Sequence, residues 1–124
     1  MNPNEITRQI VDAAYKIHVA LGPGLLETVY EVVLCHELRK RGLCVRRQVP
    51  IPIEYDGIQF DEGFCADLLV EESVIAELKS TEKNHPIHPK QLRTHLVLAK
   101  VQLGLALNFG LGTMKEGITR IVNG

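Results

Sequence analysis

The sequence predicts an α/β (α+β) domain, a mixed β-sheet with flanking helices. Two observations carry this. Apolar residues recur at three- and four-residue spacing up to Leu38, then at alternate positions from Val45; the first is a helical period and the second a strand period. A further helical segment then separates the middle strands from the last two, and that order of elements is typical of a mixed sheet covered by helices.

The first helix is expected from about Asn4 to Ala20, where Ile6, Ile10, Val11, Ala14, Ile17 and Leu21 form one stripe. Gly22-Pro23-Gly24 ends it, because glycine permits a left-handed cap and proline cannot continue a helix. A second helix is expected from about Leu25 to Arg41, with Leu26, Val29, Tyr30, Val33, Leu34 and Leu38 inward and Arg39, Lys40 and Arg41 complementing the helix dipole. Val45, Val49, Ile51, Ile53 and Tyr55 alternate as in a strand. Pro50 and Pro52 cannot donate to a ladder, so that strand should be an edge or irregular. Asp56-Gly57 is a strong hairpin turn. A short strand follows near Ile58–Phe60, then strands at Phe64–Val70 and Val74–Ser80, joined through Glu71-Glu72-Ser73. Thr81–His88 is polar and reads as a loop. Pro89 suits the first turn of a helix reaching about Lys100, with Leu92, Leu96 and Ala99 inward. Val101–Asn108 and Gly117–Val122 read as the last strands, with a turn at Phe109–Gly112.

With 124 residues, 45% of them hydrophobic, the chain suits one domain with a single core. Charged residues at 23% exclude the composition of a disordered chain. No apolar run approaches the roughly 20 residues of a spanning helix, and the N-terminus lacks the pattern of a secretory signal; a cytoplasmic protein that does not enter the membrane is expected. Cys35, Cys44 and Cys65 are odd in number and without a close pair, so they read as buried free thiols. The formal net charge is −1; a binder of long duplex DNA usually carries a basic excess. The local cluster Arg39, Lys40, Arg41, Arg46 and Arg47 reads first as a solvated helix end and loop.

Chemistry enters at three residues. Glu77 and Lys79, two apart on one strand, point to one face. Alone this is usually a solvated strand face. Asp67, however, interrupts the apolar strand Phe64–Val70. If Glu71–Ser73 is a three-residue hairpin link, Val70 faces Val74 and Asp67 falls opposite Glu77. Directly opposed side chains have Cβ atoms about 4.5–5.5 Å apart, and two carboxylates so placed repel unless a cation lies between them. Oxygen ligands suit Mg2+ or Mn2+. Such an ion can polarise a phosphoryl oxygen and acidify a bound water, and Lys79 can orient that water or stabilise charge on the phosphate. A register slip of one residue would undo this expectation.

Asp67 followed by Glu77-x-Lys79 resembles the PD-(D/E)xK nuclease superfamily. Gly24-Leu25-Leu26-Glu27-Thr28-Val29-Tyr30 resembles the GxxExxY pattern of a small prokaryotic family placed in that superfamily, and Leu21-Gly22-Pro23-Gly24 and Leu107-Asn108-Phe109-Gly110 are similar to it as well. The resemblance covers nearly the whole chain. It implies a restriction-endonuclease-like core with the site on a central hairpin, and nucleic acid as substrate. It implies that Glu27 projects toward the metal, and that Gln91 is the glutamine many members carry on the helix after the ExK strand. Relatives often show QxxxY there; this chain has His95 in place of the tyrosine, which could donate to phosphate or be a structural histidine. Arg93 is a candidate phosphate contact and otherwise a solvated helix arginine. Tyr30 shares a helix face with Glu27 and otherwise reads as a core aromatic with its hydroxyl satisfied. His85 and His88 lack zinc-type partners and read as loop or capping residues.

Three functional readings follow. The first is a Mg2+-dependent nuclease-like domain in which Asp67, Glu77 and Lys79 are catalytic, Glu27 supports the metal, and Gln91, Arg93, Tyr30 and His95 bind substrate or shape the site. The second is a nucleic-acid-binding or regulatory module that keeps the fold without cleavage. The third is a structural homodimer formed through the edge strand.

Overall fold

In a computed structural model, which describes every residue from Met1 to Gly124, the chain runs α1 (Pro3–Leu21), α2 (Glu27–Lys40), β1 (Val45–Tyr55), β2 (Ile58–Val70), β3 (Val74–Lys79), α3 (Ile87–Ala99), β4 (Leu103–Asn108), a 3-10 turn (Lys115–Gly117) and β5 (Ile118–Val122). The strands form one sheet in the order β1-β2-β3-β4-β5. β3 and β4 are parallel and the other neighbours antiparallel. The sheet is therefore mixed, as the sequence predicts, and α3 is the crossover that a parallel pair requires.

α1 and α2 pack on one face of the sheet, where Ile6, Ile10, Leu34 and Leu38 meet Val74, Ala76 and Leu78. α3 covers the other face, with Leu92 and Leu96 against Ile75 and Ile121. The start of α1 is fixed by Asn2, whose side chain accepts from the Glu5 backbone N–H at 2.9 Å. The inward face of α2 differs from the expected stripe. Leu26 is 77% exposed and Val29 also faces solvent, while Glu31, Cys35 and Glu37 are buried with Tyr30, Leu34 and Leu38. Packing against α1 and the sheet selects the buried face, and charged residues enter it because each finds a partner there.

β1 lies at the sheet edge, as its prolines require, and Asp56 and Gly57 both take positive φ (57° and 74°) in a two-residue turn to β2. The expected strands Ile58–Phe60 and Phe64–Val70 are one strand carrying an irregularity. Register moves from Ile51↔Phe64 to Ile53↔Phe60, which leaves extra residues on β2 around Asp61–Gly63. Gly63 is obligatory there, since a Cβ would lie 1.8 Å from the Ile51 carbonyl oxygen.

A second irregularity positions the site. Val45 and Val70 pack on the α1/α2 face, whereas Val49 and Ala66 pack on the α3 face. In a regular strand, Val45 and Val49 would share a face, as would Ala66, Leu68 and Val70. Both strands change faces at the same level, Gln48 and Asp67, and Gln48 has φ 48°. The pairs Arg47↔Leu68 and Val49↔Ala66 on either side remain in register.

The cysteines are free, but only Cys35 is buried; Cys44 and Cys65 are exposed, in the approach to β1 and on the outer hairpin. The expectation that all three are buried is therefore corrected, because the β1–β2 edge hairpin has no covering layer at those positions. The basic cluster is engaged within the fold. Arg39 donates to the Val45 carbonyl, Lys40 and Arg41 pair with Glu37, Arg46 with Glu72, and Arg47 with Glu31. No helix is long and apolar enough to cross a membrane.

Candidate functional site

β2 and β3 are joined by Glu71-Glu72-Ser73, and their ladder runs Val70↔Val74, Leu69↔Ile75, Leu68↔Ala76. This is the register that carries Asp67 to the level of Glu77. The ladder itself stops one step short, at the level where β2 changes faces. In place of a strand partner, Oδ2 of Asp67 accepts the Leu78 backbone N–H at 2.9 Å. Its Oδ1 accepts from Gln48 Nε2 at 3.2 Å, and the same amide donates to Glu31 Oε1 at 2.7 Å. Glu31 is only 5% exposed and is completed by Arg47, at 2.8 Å from its Oε2. The buried Glu31 of α2, paired with the exposed Arg47 of β1, is thus linked through one glutamine amide to Asp67.

Glu77 lies on the α3 side of β3, where Oε1 is hydrogen-bonded to His95 Nδ1 at 2.5 Å. The His95 ring stacks on Phe64, with centroids 3.7 Å apart and planes 11° from parallel. Burial raises the pKa of the Glu77 carboxyl above its ordinary value, and the nearby Asp67 charge adds to the rise; the His95 hydrogen bond and the Lys79 charge oppose it. Asp67, Glu77, Lys79 and His95 therefore share one electrostatic environment. Lys79 enters no ion pair and lines a cavity at the C-terminal ends of β3 and β4.

The other expected site residues divide. Glu27 is exposed in the first turn of α2, and its charge reaches His88 at the start of α3. It does not converge with Asp67 and Glu77 as a three-ligand metal group. Gln91 is exposed on α3, one turn before His95. Arg93 is elsewhere: its guanidinium donates to the Val122 carbonyl at 3.0 Å, at the β5 edge. That bond engages one of the donors of the exposed Arg93 side chain and ties it to the β5 edge. Tyr30 is fully buried, and its hydroxyl donates to the Gly22 carbonyl (2.5 Å) and accepts from the Leu25 N–H (3.1 Å). Its ring stacks on Phe109 at 4.5 Å. Substrate contact by Tyr30 is excluded by that burial; it shapes the loop that leads into α2. No three His, Cys, Asp or Glu side chains converge as a preformed metal-binding group.

Several residues that matter here escaped the sequence reading. Glu31 had a detectable signal, a charge on the Tyr30, Leu34, Leu38 stripe. Asn108 is 4% exposed and organises the segment after β3. Its Oδ1 accepts from the backbone N–H groups of Thr81 and Gly110, and its Nδ2 donates to Thr81 Oγ1 and Asn84 Oδ1, all at 3.0–3.1 Å. Ser80 Oγ donates to the Leu25 carbonyl at 2.5 Å, tying the end of β3 to the loop held by Tyr30. Gln48, a turn-like residue inside a strand, gave no signal.

A family model of the PD-(D/E)XK nuclease superfamily matches residues 4–121. No curated protein and no solved structure gives a significant match.

Proposed function

This chain belongs to the PD-(D/E)XK nuclease superfamily, and on that premise we propose that it is a Mg2+- or Mn2+-dependent nuclease-like domain of the GxxExxY type. It would hydrolyse nucleic-acid phosphodiester bonds. The observation that carries this reading is the β2–β3 register, which brings Asp67 to the level of Glu77 with Lys79 two residues further along β3.

The donor set fits a hard divalent ion. Mg2+ keeps several waters and commonly takes only one or two carboxylates from the protein, so Asp67 and Glu77 suffice without a third converging ligand. Burial is the main cause of the raised Glu77 pKa and the Asp67 charge adds to it, so a cation held between the two carboxylates would favour their charged forms. Asp67 and Glu77 would hold the ion, with Glu27 supporting it directly or through water. When bound, such an ion polarises a phosphoryl oxygen and lowers the pKa of water. Lys79, free of any ion pair, can donate to the attacking water or to charge developing on the phosphate. His95, clamped by Phe64, fixes one oxygen of Glu77 and leaves the other available. Gln91, on the same face of α3, shapes the approach.

The test is cleavage of single- and double-stranded DNA and RNA with Mg2+ or Mn2+. Asp67→Ala and Lys79→Ala should each lower the rate by at least about 100-fold, the scale expected when a charged group acting on the transition state is removed, with circular dichroism unchanged. Variants as active as the wild type would refute the assignment.

A second reading, a nucleic-acid-binding, regulatory or dimerising module that retains the fold, is favoured by one observation. Asp67 spends both oxygens on internal partners, Leu78 N–H and Gln48, and Glu77 one on His95. Manganese titration separates the two: Mn2+ binding lost in Asp67→Ala supports the first reading, and no binding at millimolar Mn2+ supports the second.

A further inference from the structure

At the C-terminal ends of β3 and β4, the α3 side of the sheet opens into a cavity of about 230 Å3 whose lining includes Lys79, Asn84, His85, His88, Asn108 and Thr119. Three groups able to carry positive charge share this space. Lys79 enters no ion pair. The rings of His85 and His88 have centroids 5.8 Å apart. His85 Nδ1 accepts the Ile87 backbone N–H at 3.2 Å, so the neutral ring carries its proton on Nε2, as a donor. The carboxylates of Asp67 and Glu77 have other partners, at Leu78 N–H, Gln48 and His95.

The charges here are unbalanced. Burial, then the charges of Lys79 and His85, hold the His88 pKa down, and only Glu27 acts in the opposite sense. Cationic groups that disfavour one another's charge favour an anion placed among them. α3 begins beside the cavity at Ile87, and the positive end of its dipole adds a field of the same sign. The Asn108 network fixes Asn84 and the Thr81–Asn84 backbone, so this wall is formed before any ligand arrives.

We propose that this cavity is a phosphate-binding subsite, in which His85 and His88, beside Lys79, receive the oxygens of a phosphate group on a nucleic-acid strand. The identity of the strand rests on the nuclease-like reading; the oxyanion chemistry of the cavity does not. The phosphate comes either from a strand end or from the strand backbone, and both present the same oxygens. Neither histidine is needed to hold a metal. Their work is to anchor the strand beside Lys79, so that the bond to be cut lies at a fixed distance from the anchored phosphate.

The test begins with inorganic phosphate titrated into the full chain without divalent metal, followed by amide and imidazole NMR shifts. Saturable shifts confined to the cavity lining are expected. His88→Gln and His85→Gln should each weaken binding by about fivefold or more, and the double variant by about tenfold or more. Arg8→Gln, which removes a full positive charge on α1 away from the cavity, should not. Circular dichroism confirms folding, and either single variant suffices if the double does not fold. No saturable binding to the wild type, or equal weakening by Arg8→Gln, overturns the proposal. Oligonucleotides with and without a 5′-phosphate then identify the source. Tighter, His88-dependent binding of the phosphorylated form assigns an end phosphate, and equal, His88-dependent binding assigns a backbone phosphate. Binding of both forms unchanged by His88→Gln overturns the subsite. Asp67→Ala keeps the two proposals apart, since it should abolish cleavage and leave phosphate binding intact. A wild type that binds phosphate but never cuts removes the nuclease reading and keeps the subsite.

Discussion

Tyr30→Phe isolates one oxygen atom. The substitution keeps the ring and therefore its stacking on Phe109, and removes the hydroxyl that bridges the Gly22 carbonyl and the Leu25 N–H. Two hydrogen bonds are lost at once. Leaving a backbone group unsatisfied costs about 1–3 kcal/mol where water is excluded. Leu25 is 40% exposed, so water can replace part of the loss on that side, and the expected total is about 2 kcal/mol. With a urea m-value of about 2 kcal/mol/M, the unfolding midpoint should fall by about 1 M. The thermal midpoint should fall by about 6–10 °C for a chain of this size. Urea titration read by circular dichroism measures the first directly, and an unchanged m-value shows that only stability moved. A midpoint within about 0.2 M of the wild type would refute the assignment of Tyr30 as the clamp of the α1–α2 loop.

Two further stability predictions concern the site. Glu77 has a raised pKa in the folded chain; it therefore contributes stability that is fully present below its unfolded value and lost as pH rises through the folded one. Glu77→Gln, which is never charged but keeps an acceptor for His95, should gain stability relative to the wild type as pH rises from 4 to 8 (~, spanning the carboxylate range); a difference independent of pH, from urea titrations at both ends, would contradict the burial of that carboxylate. Gly110→Ala should cost at least about 2 kcal/mol as an overpacking change, because its Cβ would lie 2.3 Å from the Thr81 carbonyl oxygen and 2.4 Å from its nitrogen; an unchanged melting temperature would show that the Asn108-centred loop does not sit against Gly110.

The sequence was most informative where one physical constraint decides. Two left-handed residues, Asp56 and Gly57, close the β1–β2 hairpin as their dipeptide predicts, and the link Glu71–Ser73 pairs Val70 with Val74, the register expected of a three-residue link. Pro50 and Pro52 confine β1 to an edge for want of N–H donors. It was least informative where packing chooses between equals. Val29 and Glu31 are both accessible to the inward face of α2, and tertiary partners in Arg47 and Gln48 decide for the glutamate. The split of β2 into two strands mistook a bulge at Asp61–Gly63 for an end, since Asp, Glu and Gly resemble turn residues whether the chain stops or only bends. Asp67 could be placed by counting, but its bond to Leu78 N–H could not, because that bond exists only where β2 leaves the ladder. Arg93 was assigned by proximity along α3, while its conformation is set by β5, distant in sequence.

The change of faces at Gln48 and Asp67 also bears on how the molecule opens. The core under α1 and α2 comprises 21 buried residues and the one under α3 only 7, and β1 and β2 contribute to both. The smaller core buries less apolar surface, so it forms the weaker cooperative unit and unfastens first in partial unfolding. Asp67 stands on the boundary between the two units, and Glu77 and His95 stand on the weaker side of it. Motions that loosen α3 therefore reach Glu77 and His95 while the larger core remains closed, and the environment of that pair can fluctuate without global unfolding.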